Sequence, residues 1–394
     1  MNDIAKHPRK FFSTFVTLLF VNTFVMFHFA SVTYIHSSFL GRFFSPEHVS
    51  VLYAVSSMVV IGALFAMPYL ARTAGIWRLF IIAVPLLQGA MFFLGFSKNA
   101  WIAATFFIIQ ASLFFALRYL LDLYVESLAR DESRTGNMRG LFITAGNIGI
   151  FLGPIAAALI VIGSDFKPIY VFSVLMLIPV LFVALTTFRN VTPHVTHAGN
   201  VLIYLRDIVR HRPRIRSVMV VHLMMQAFSA AIVIYAPLYL FQFGGLSWQA
   251  IGSVTALALL PYMLLEVPLG FLADWVWGEK EIMITGLIIL GCAMALLSFI
   301  PLSLFVVWSI AFIATRIGAA MVEIGTESYF FKQVTEADVE IISAFRALLP
   351  FGGVIAPLVA LAVLPFIPLQ YLFAVFGALF LTVIPIALRI IDTR

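Results

Sequence analysis

Long apolar runs, interrupted by charges or by Pro/Gly turns, dominate the chain. Each run is about 20 residues or longer, the length an α-helix needs to cross the hydrocarbon layer of a bilayer. Twelve runs predict membrane helices over 11–36, 46–71, 77–96, 100–129, 139–163, 168–188, 217–243, 248–272, 281–299, 302–333, 339–363 and 367–390. The longest polar interval, 189–216, separates six helices from six. The organisation expected is therefore a six-helix bundle over 1–188, a cytoplasmic linker over 189–216 and a second six-helix bundle over 217–394. Within the linker, Asn200 to Arg210 reads as a short amphipathic helix lying at the membrane surface.

Composition strengthens this picture. Of 394 residues, 62% are hydrophobic and only 11% are charged, against roughly 25% charged in a soluble domain. Too little polar surface remains to cover a water-soluble globule, and the loops are too short to hold a soluble catalytic domain. The single Cys292 excludes an internal disulfide and a cysteine-based metal site. The first apolar run follows Lys6, Arg9 and Lys10 and continues past Ala30 without a small-residue cleavage site, so it reads as a retained helix. The chain has no Gly-rich phosphate loop followed by Lys-Ser/Thr, no His-Glu-x-x-His and no Gly-x-Ser-x-Gly. The expectation is a protein that is not an enzyme, is not driven by ATP and carries no cofactor.

The net charge of +6 is a topology signal. With the N-terminus in the cytoplasm, eighteen of the 24 Lys and Arg fall on the inner side, and Arg42, Lys98 and Lys167 fall outside. Such a bias is the positive-inside rule, so nucleic acid is not needed to explain the basic balance. It predicts a multi-pass protein of the cell (inner) membrane, with both termini cytoplasmic and the lipid bilayer as its surroundings, expected as a monomer.

The two halves read as repeats. Ser45-Pro-Glu-His-Val49 and Ser247-Trp-Gln-Ala-Ile251 open helices 2 and 8, and Leu70-Ala71 and Leu272-Ala273 close them. Glu126-Ser127 and Glu327-Ser328 end helices 4 and 10, and Gly153-Pro154 matches Ala356-Pro357. All four matches fall in order at an offset between 201 and 203 residues. Two parallel six-helix repeats are a transporter pattern.

The loop after helix 8, Gly270-Phe-Leu-Ala-Asp274-Trp-Val-Trp-Gly278-Glu-Lys280, resembles the signature loop of the major facilitator superfamily. That resemblance implies twelve helices around a central cavity. In it Gly270 allows close helix packing, Asp274 bonds to a neighbouring helix N-terminus, and Lys280 balances the acid. The helix 2/3 copy departs from the pattern: Arg72 stands where the acid is expected, with Gly75 and Arg78 following. Gly149-Ile-Phe-Leu-Gly153-Pro154 in helix 5, with Arg139-Gly140 upstream, is similar to a motif of the exporter and antiporter branch, with Ala157 and Ala158 replacing its last two glycines. Plain helix packing explains the same small residues, and both readings stand at this point.

Ionisable groups inside membrane helices cost about 2.5–3.5 kcal/mol each on insertion scales. Helix 4 carries Arg118, Asp122 and Glu126 on one stripe, and helix 10 carries Arg316, Glu323 and Glu327 on another. Glu266 lies in helix 8 and Arg346 in helix 11. Two roles are expected. Glu327 with the Asp274/Lys280 loop, and Glu126 with Arg72 or Arg78, would form gate networks that close the cytoplasmic side. Asp122, Glu323 or Glu266 would take up a proton, since burial raises a carboxyl pKa and a nearby Arg lowers it; a permanent Arg118–Asp122 ion pair is the alternative for Asp122. His28 and His222 read as hydrogen-bonded packing groups. Asn22, Gln110, Asn147, Gln226 and Tyr235 are candidate cavity groups.

The function expected is secondary transport of a small, amphipathic molecule by alternating access, coupled to protons and directed outward. Uptake or facilitated transport of a small metabolite such as a sugar or organic ion is the alternative. A receptor or lipid-handling protein on the same fold is the reading from another class.

Overall fold

The computed structural model describes residues 8–128, 132–190, 208, 210–301, 304–334 and 339–390. Its long elements are all helical. They are α1 (Pro8–Thr33), α2 (Pro46–Ala74), α3 (Ile76–Gly95), α4 (Ala100–Leu128), α5 (Glu132–Ile160), α6 (Lys167–Thr186), α7 (Pro213–Leu238), α8 (Trp248–Trp275), α9 (Glu279–Leu297) and α10 (Phe305–Gln333). Then α11 runs in two segments, Val339–Arg346 and Leu348–Val363, and α12 in two, Leu372–Leu381 and Ile384–Leu388. Eleven of these regions, 19 to 31 residues long, are long and apolar enough to cross a membrane. With the 28-residue α8 they make the twelve-helix, all-α membrane fold. The linker helix expected over 200–210 lies outside the described residues, apart from Ile208 and Arg210; Ile208 is buried among Ile215, Met219 and Phe345.

Prolines explain where the predicted helices are broken. Helices 11 and 12 read as continuous over 339–363 and 367–390, but a proline ring clashes with the carbonyl four residues before it. Pro350 reaches back to Arg346, where the first segment of α11 ends. Pro385 reaches back to Leu381, where the first segment of α12 ends. Near the end of α7, Pro237 precedes a single widened π turn, Tyr239–Phe243. Prolines are tolerated within α2, α3, α5, α6 and α8, as is common in membrane helices.

The outside of the bundle is apolar. Trp101, Leu159, Phe182 and Trp275 are among the most exposed side chains. In water this surface would drive aggregation, whereas in a bilayer it meets lipid tails, and Trp101 and Trp275 stand at helix ends where indoles favour the interface.

The chain forms two compact units. Unit 1 is Met1–Phe44, Val55–His197 and Ser247–Ser253; unit 2 is Ser45–Ala54, Ala198–Leu246 and Val254–Arg394. In unit 1, α5 lies along α1, and a Cβ at Gly149 or Gly153 would come within 2.4 Å of Thr23 O or Ala30 Cβ. In unit 2, α11 lies along α7, and a Cβ at Gly352 would come within 2.5 Å of the Gln226 carbonyl carbon. Gly149 and Gly352, and likewise Thr23 and Gln226, are 203 positions apart. The same helix contact is thus built twice on the same small-residue device.

Candidate functional site

The glycine of each half-repeat loop occupies a special conformation. Gly75 (φ 84°) precedes α3 and Gly278 (φ 142°) precedes α9. Both φ values lie where L side chains rarely go. The first loop therefore keeps its turn although Arg72 replaces the acid. Gly270 behaves differently from expectation. A Cβ there would meet open space, so this glycine serves no close helix contact.

Unit 2 has, where α9 begins, an ion pair that sequence reasoning missed. Glu279, at the first turn of α9 and buried, accepts a hydrogen bond from the Lys332 ammonium at the last turn of α10. An acidic residue suits a helix N-terminus and a cation suits a C-terminus. The signal was the Gly-Glu-Lys triplet itself, in which Lys280 drew attention from the acid beside it. Glu327 is exposed and has an interaction of its own. The side chains of Asp274 and Glu266 lie outside the described residues, so the pairing of Glu327 with the Asp274/Lys280 loop is carried forward as a proposal.

In unit 1, Tyr119 sits within electrostatic range of Glu126, Arg72 and Asp122, which brings three of the expected charges to one region. Arg72 and Arg78 are exposed at the α2/α3 turn, as is Glu126. Arg118 reaches across to α1 and donates from Nη1 to Met26 Sδ at 3.0 Å.

Several expected cavity groups serve helix contacts. Asn22 is buried and its Nδ2 donates to Phe142 O at 2.7 Å, tying α1 to α5. Tyr235 is fully buried, with its hydroxyl 2.7 Å from Ser50 Oγ. Gln110 is buried within α4, whereas Asn147 is exposed on α5. Gln226 Nε2 lies 2.9 Å from His222 Nε2, and His222 Nδ1 lies 3.0 Å from Thr326 Oγ1, with its ring 4.2 Å from that of Phe345. Satisfying a buried polar group is worth more inside an apolar bundle than in water, which is why Asn22, Tyr235 and His222 turn to neighbouring helices.

Two further polar pairs lie at the α1/α6 contact. His28 Nδ1 is 2.7 Å from Ser173 Oγ, and His36 Nδ1 is 2.9 Å from the Tyr170 hydroxyl. His36 belongs to a short helical turn, His36–Leu40, beyond the membrane span that ends at Thr33. Burial, then the nearby His28, pushes the His36 imidazole down to about 3. Arg42, in the following turn, is shifted down by partial burial, with Asp165 opposing, and its guanidinium lies 4.3 Å from the Phe166 ring.

Among the described residues, Arg316 is an embedded charge with unspent donors. Its side chain is 3% exposed, and Nε and Nη2 have no hydrogen-bond partner. The rings of Phe228 and Phe312 lie 5.3 and 5.4 Å from the guanidinium carbon. Glu323, one stripe position further along α10, is half-buried and engaged in an interaction of its own. Arg346 is exposed at the break in α11.

A cavity of about 960 Å³ opens on unit 2 between the start of α2 and the α9/α10 and α11/α12 turns. Glu47, Tyr239, Phe243, Phe299 and Gln370 help to line it. Ser298 lies on its wall, so the cavity is at the end of α9 away from Glu279, about 28 Å along a helix of that length.

The same twelve-helix arrangement is found in solved membrane-protein structures. A crystal structure of the nucleoside transporter NupG superposes with a TM-score of 0.76 at 13% identity, over 96% of this chain and 99% of that one. A bacterial homologue of the human lysosomal transporter Spinster, inward-facing and unoccupied, gives 0.71 at 12% identity, over 97% and 95%. At these identities the likeness is one of fold. No family model matches the sequence, and no curated protein matches it.

Proposed function

We propose that the protein is a secondary transporter that moves a small, amphipathic molecule across the membrane by alternating access. The observation that carries this reading is the whole-chain likeness to two transporters of the same fold. Repetition of the α1/α5 contact at α7/α11 and of the Gly75 turn at Gly278 supports it, since paired halves suit a site that opens to each side in turn. Coupling to protons and outward transport belong to the same proposal. Asp122 and Glu323 are the carboxylates assigned to proton uptake, with Glu266 as a further candidate. Glu126 with Arg72, and Glu327 with the Asp274/Lys280 loop, are assigned to closure of the cytoplasmic side. The protein is placed in the cell membrane with both termini cytoplasmic.

The second reading is facilitated or proton-coupled uptake of a small metabolite. It is favoured by the likeness to a nucleoside transporter.

The deciding experiment follows proton movement in liposomes holding the purified protein, challenged with lipophilic compounds, sugars, amino acids and nucleosides. Proton flux evoked by a lipophilic compound, and lost in Asp122→Asn or Glu323→Gln, supports export. Counterflow of a nucleoside or sugar without proton movement moves the protein to the facilitator reading. Absence of flux and of counterflow for the whole panel counts against transport of these classes.

A further inference from the structure

Arg316 is the twelfth residue of the 29-residue α10, about 16 Å along its axis and so near the middle of the bilayer. Gly318 packs against Leu290 and Gly286 of α9. Two residues turn an α-helix by about 200°, so Arg316 faces away from α9. On that side it meets Phe228 of α7, and Phe312 of its own helix.

Two phenyl faces do not balance this charge. A cation–π contact is weaker than the cost of burying a charge. An orphaned buried donor adds to that cost, and Arg316 has two such atoms, Nε and Nη2. A guanidinium offers a planar fork of donors that fits a carboxylate or phosphate. The missing partner is an anion, and the phenyl rings suit an apolar group attached to it.

We propose that Arg316 is the anion-recognising group of the cargo site. The cargo is then an amphipathic organic anion whose carboxylate or phosphate takes Nε and Nη2, while its apolar portion packs on Phe228 and Phe312. This deepens the transporter reading and rests on it for the assignment of the anion as cargo.

The test uses the full chain in phosphatidylcholine nanodiscs and four probes of similar shape: hydrocinnamate, phenyl phosphate, 3-phenylpropanol and 3-phenylpropylamine. Binding is read as ligand-induced thermal stabilisation. Hydrocinnamate or phenyl phosphate should bind at least about tenfold more tightly than the alcohol, a difference near 1.4 kcal/mol. Arg316→Gln should erase that preference, and Arg316→Lys should keep part of it, because the charge remains while the fork is lost. Without ligand, Arg316→Gln should melt no lower than the wild type, because an unpaired buried charge has gone. A lower melting point with the anion preference unchanged would assign Arg316 to packing and overturn the proposal.

Should Arg316→Gln fail to fold, modification of the wild type by phenylglyoxal, mapped to Arg316 by peptide mass, replaces it. Protection by hydrocinnamate but not by 3-phenylpropanol supports the site; equal protection by both overturns it. Phosphatidylglycerol nanodiscs separate the two sources of an anion. Stabilisation by that lipid, dependent on Arg316 and without response to the soluble anions, would make the ligand a headgroup and overturn the cargo assignment. Absence of transport in liposomes, with Arg316-dependent anion binding intact, would remove the transporter reading and leave the anion site standing.

Discussion

Lys332 closes on Glu279 across the α9/α10 contact, with the carboxylate buried and the ammonium partly exposed. The pair is therefore asymmetric. Removing the lysine takes the ammonium away from a buried carboxylate, whereas removing the acid leaves a lysine that water can solvate. Lys332→Met should lower the unfolding temperature of the purified protein more than Glu279→Gln. The double variant should lose less than the sum of the two. Equal single losses would contradict the asymmetry, and strict additivity would show that the two groups are not coupled.

Gly149 meets the Thr23 carbonyl and Gly352 the Gln226 backbone, at distances a methyl group cannot share. Gly149→Ala and Gly352→Ala should each destabilise by about 1–3 kcal/mol, the usual cost of overpacking. Gly270→Ala is the control and should be near neutral, because open space surrounds that position. Thermal unfolding in one detergent compares all three, and a Gly270→Ala loss as large as the others would contradict the packing described.

The positive φ at Gly75 and Gly278 predicts a backbone penalty with no steric part at Gly75, where nothing lies within 4 Å. Gly75→Ala should cost on the order of 1–2 kcal/mol through strain alone. Gly75→Asn should cost as much as Ala, because a ψ of 140° lies outside the left-handed helical region that Asn tolerates. A Gly75→Ala melting point equal to that of the wild type would point away from φ as the reason for the glycine.

His36 is held neutral by burial, with a pKa of about 3 against 6.5 for the free side chain. Between those values the unfolded chain binds a proton that the folded one does not. Stability therefore falls as pH drops below 6.5 and continues to fall toward 3, by about 2 kcal/mol at pH 5. His36→Gln should flatten the slope of melting temperature between pH 7 and pH 5. A slope unchanged in that variant would assign the acid sensitivity to another group.

Hydrophobic patterning by itself determined the all-helical class and the helix number. Backbone polar groups cannot be left unpaired in lipid, so a long apolar run has one outcome whatever its neighbours are. The breaks at Ala347 and Thr382 were legible too, given that Pro350 and Pro385 clash one turn upstream. Facing was not legible, because with lipid outside and helices inside both sides of a run are apolar. Only the packed helices decided that Asn22 and Tyr235 are spent on neighbouring helices, that Gly270 touches nothing while Gly149 touches backbone, and that Glu279 takes Lys332. The same rotation left the Arg316 guanidinium between two phenyl rings with donors unspent.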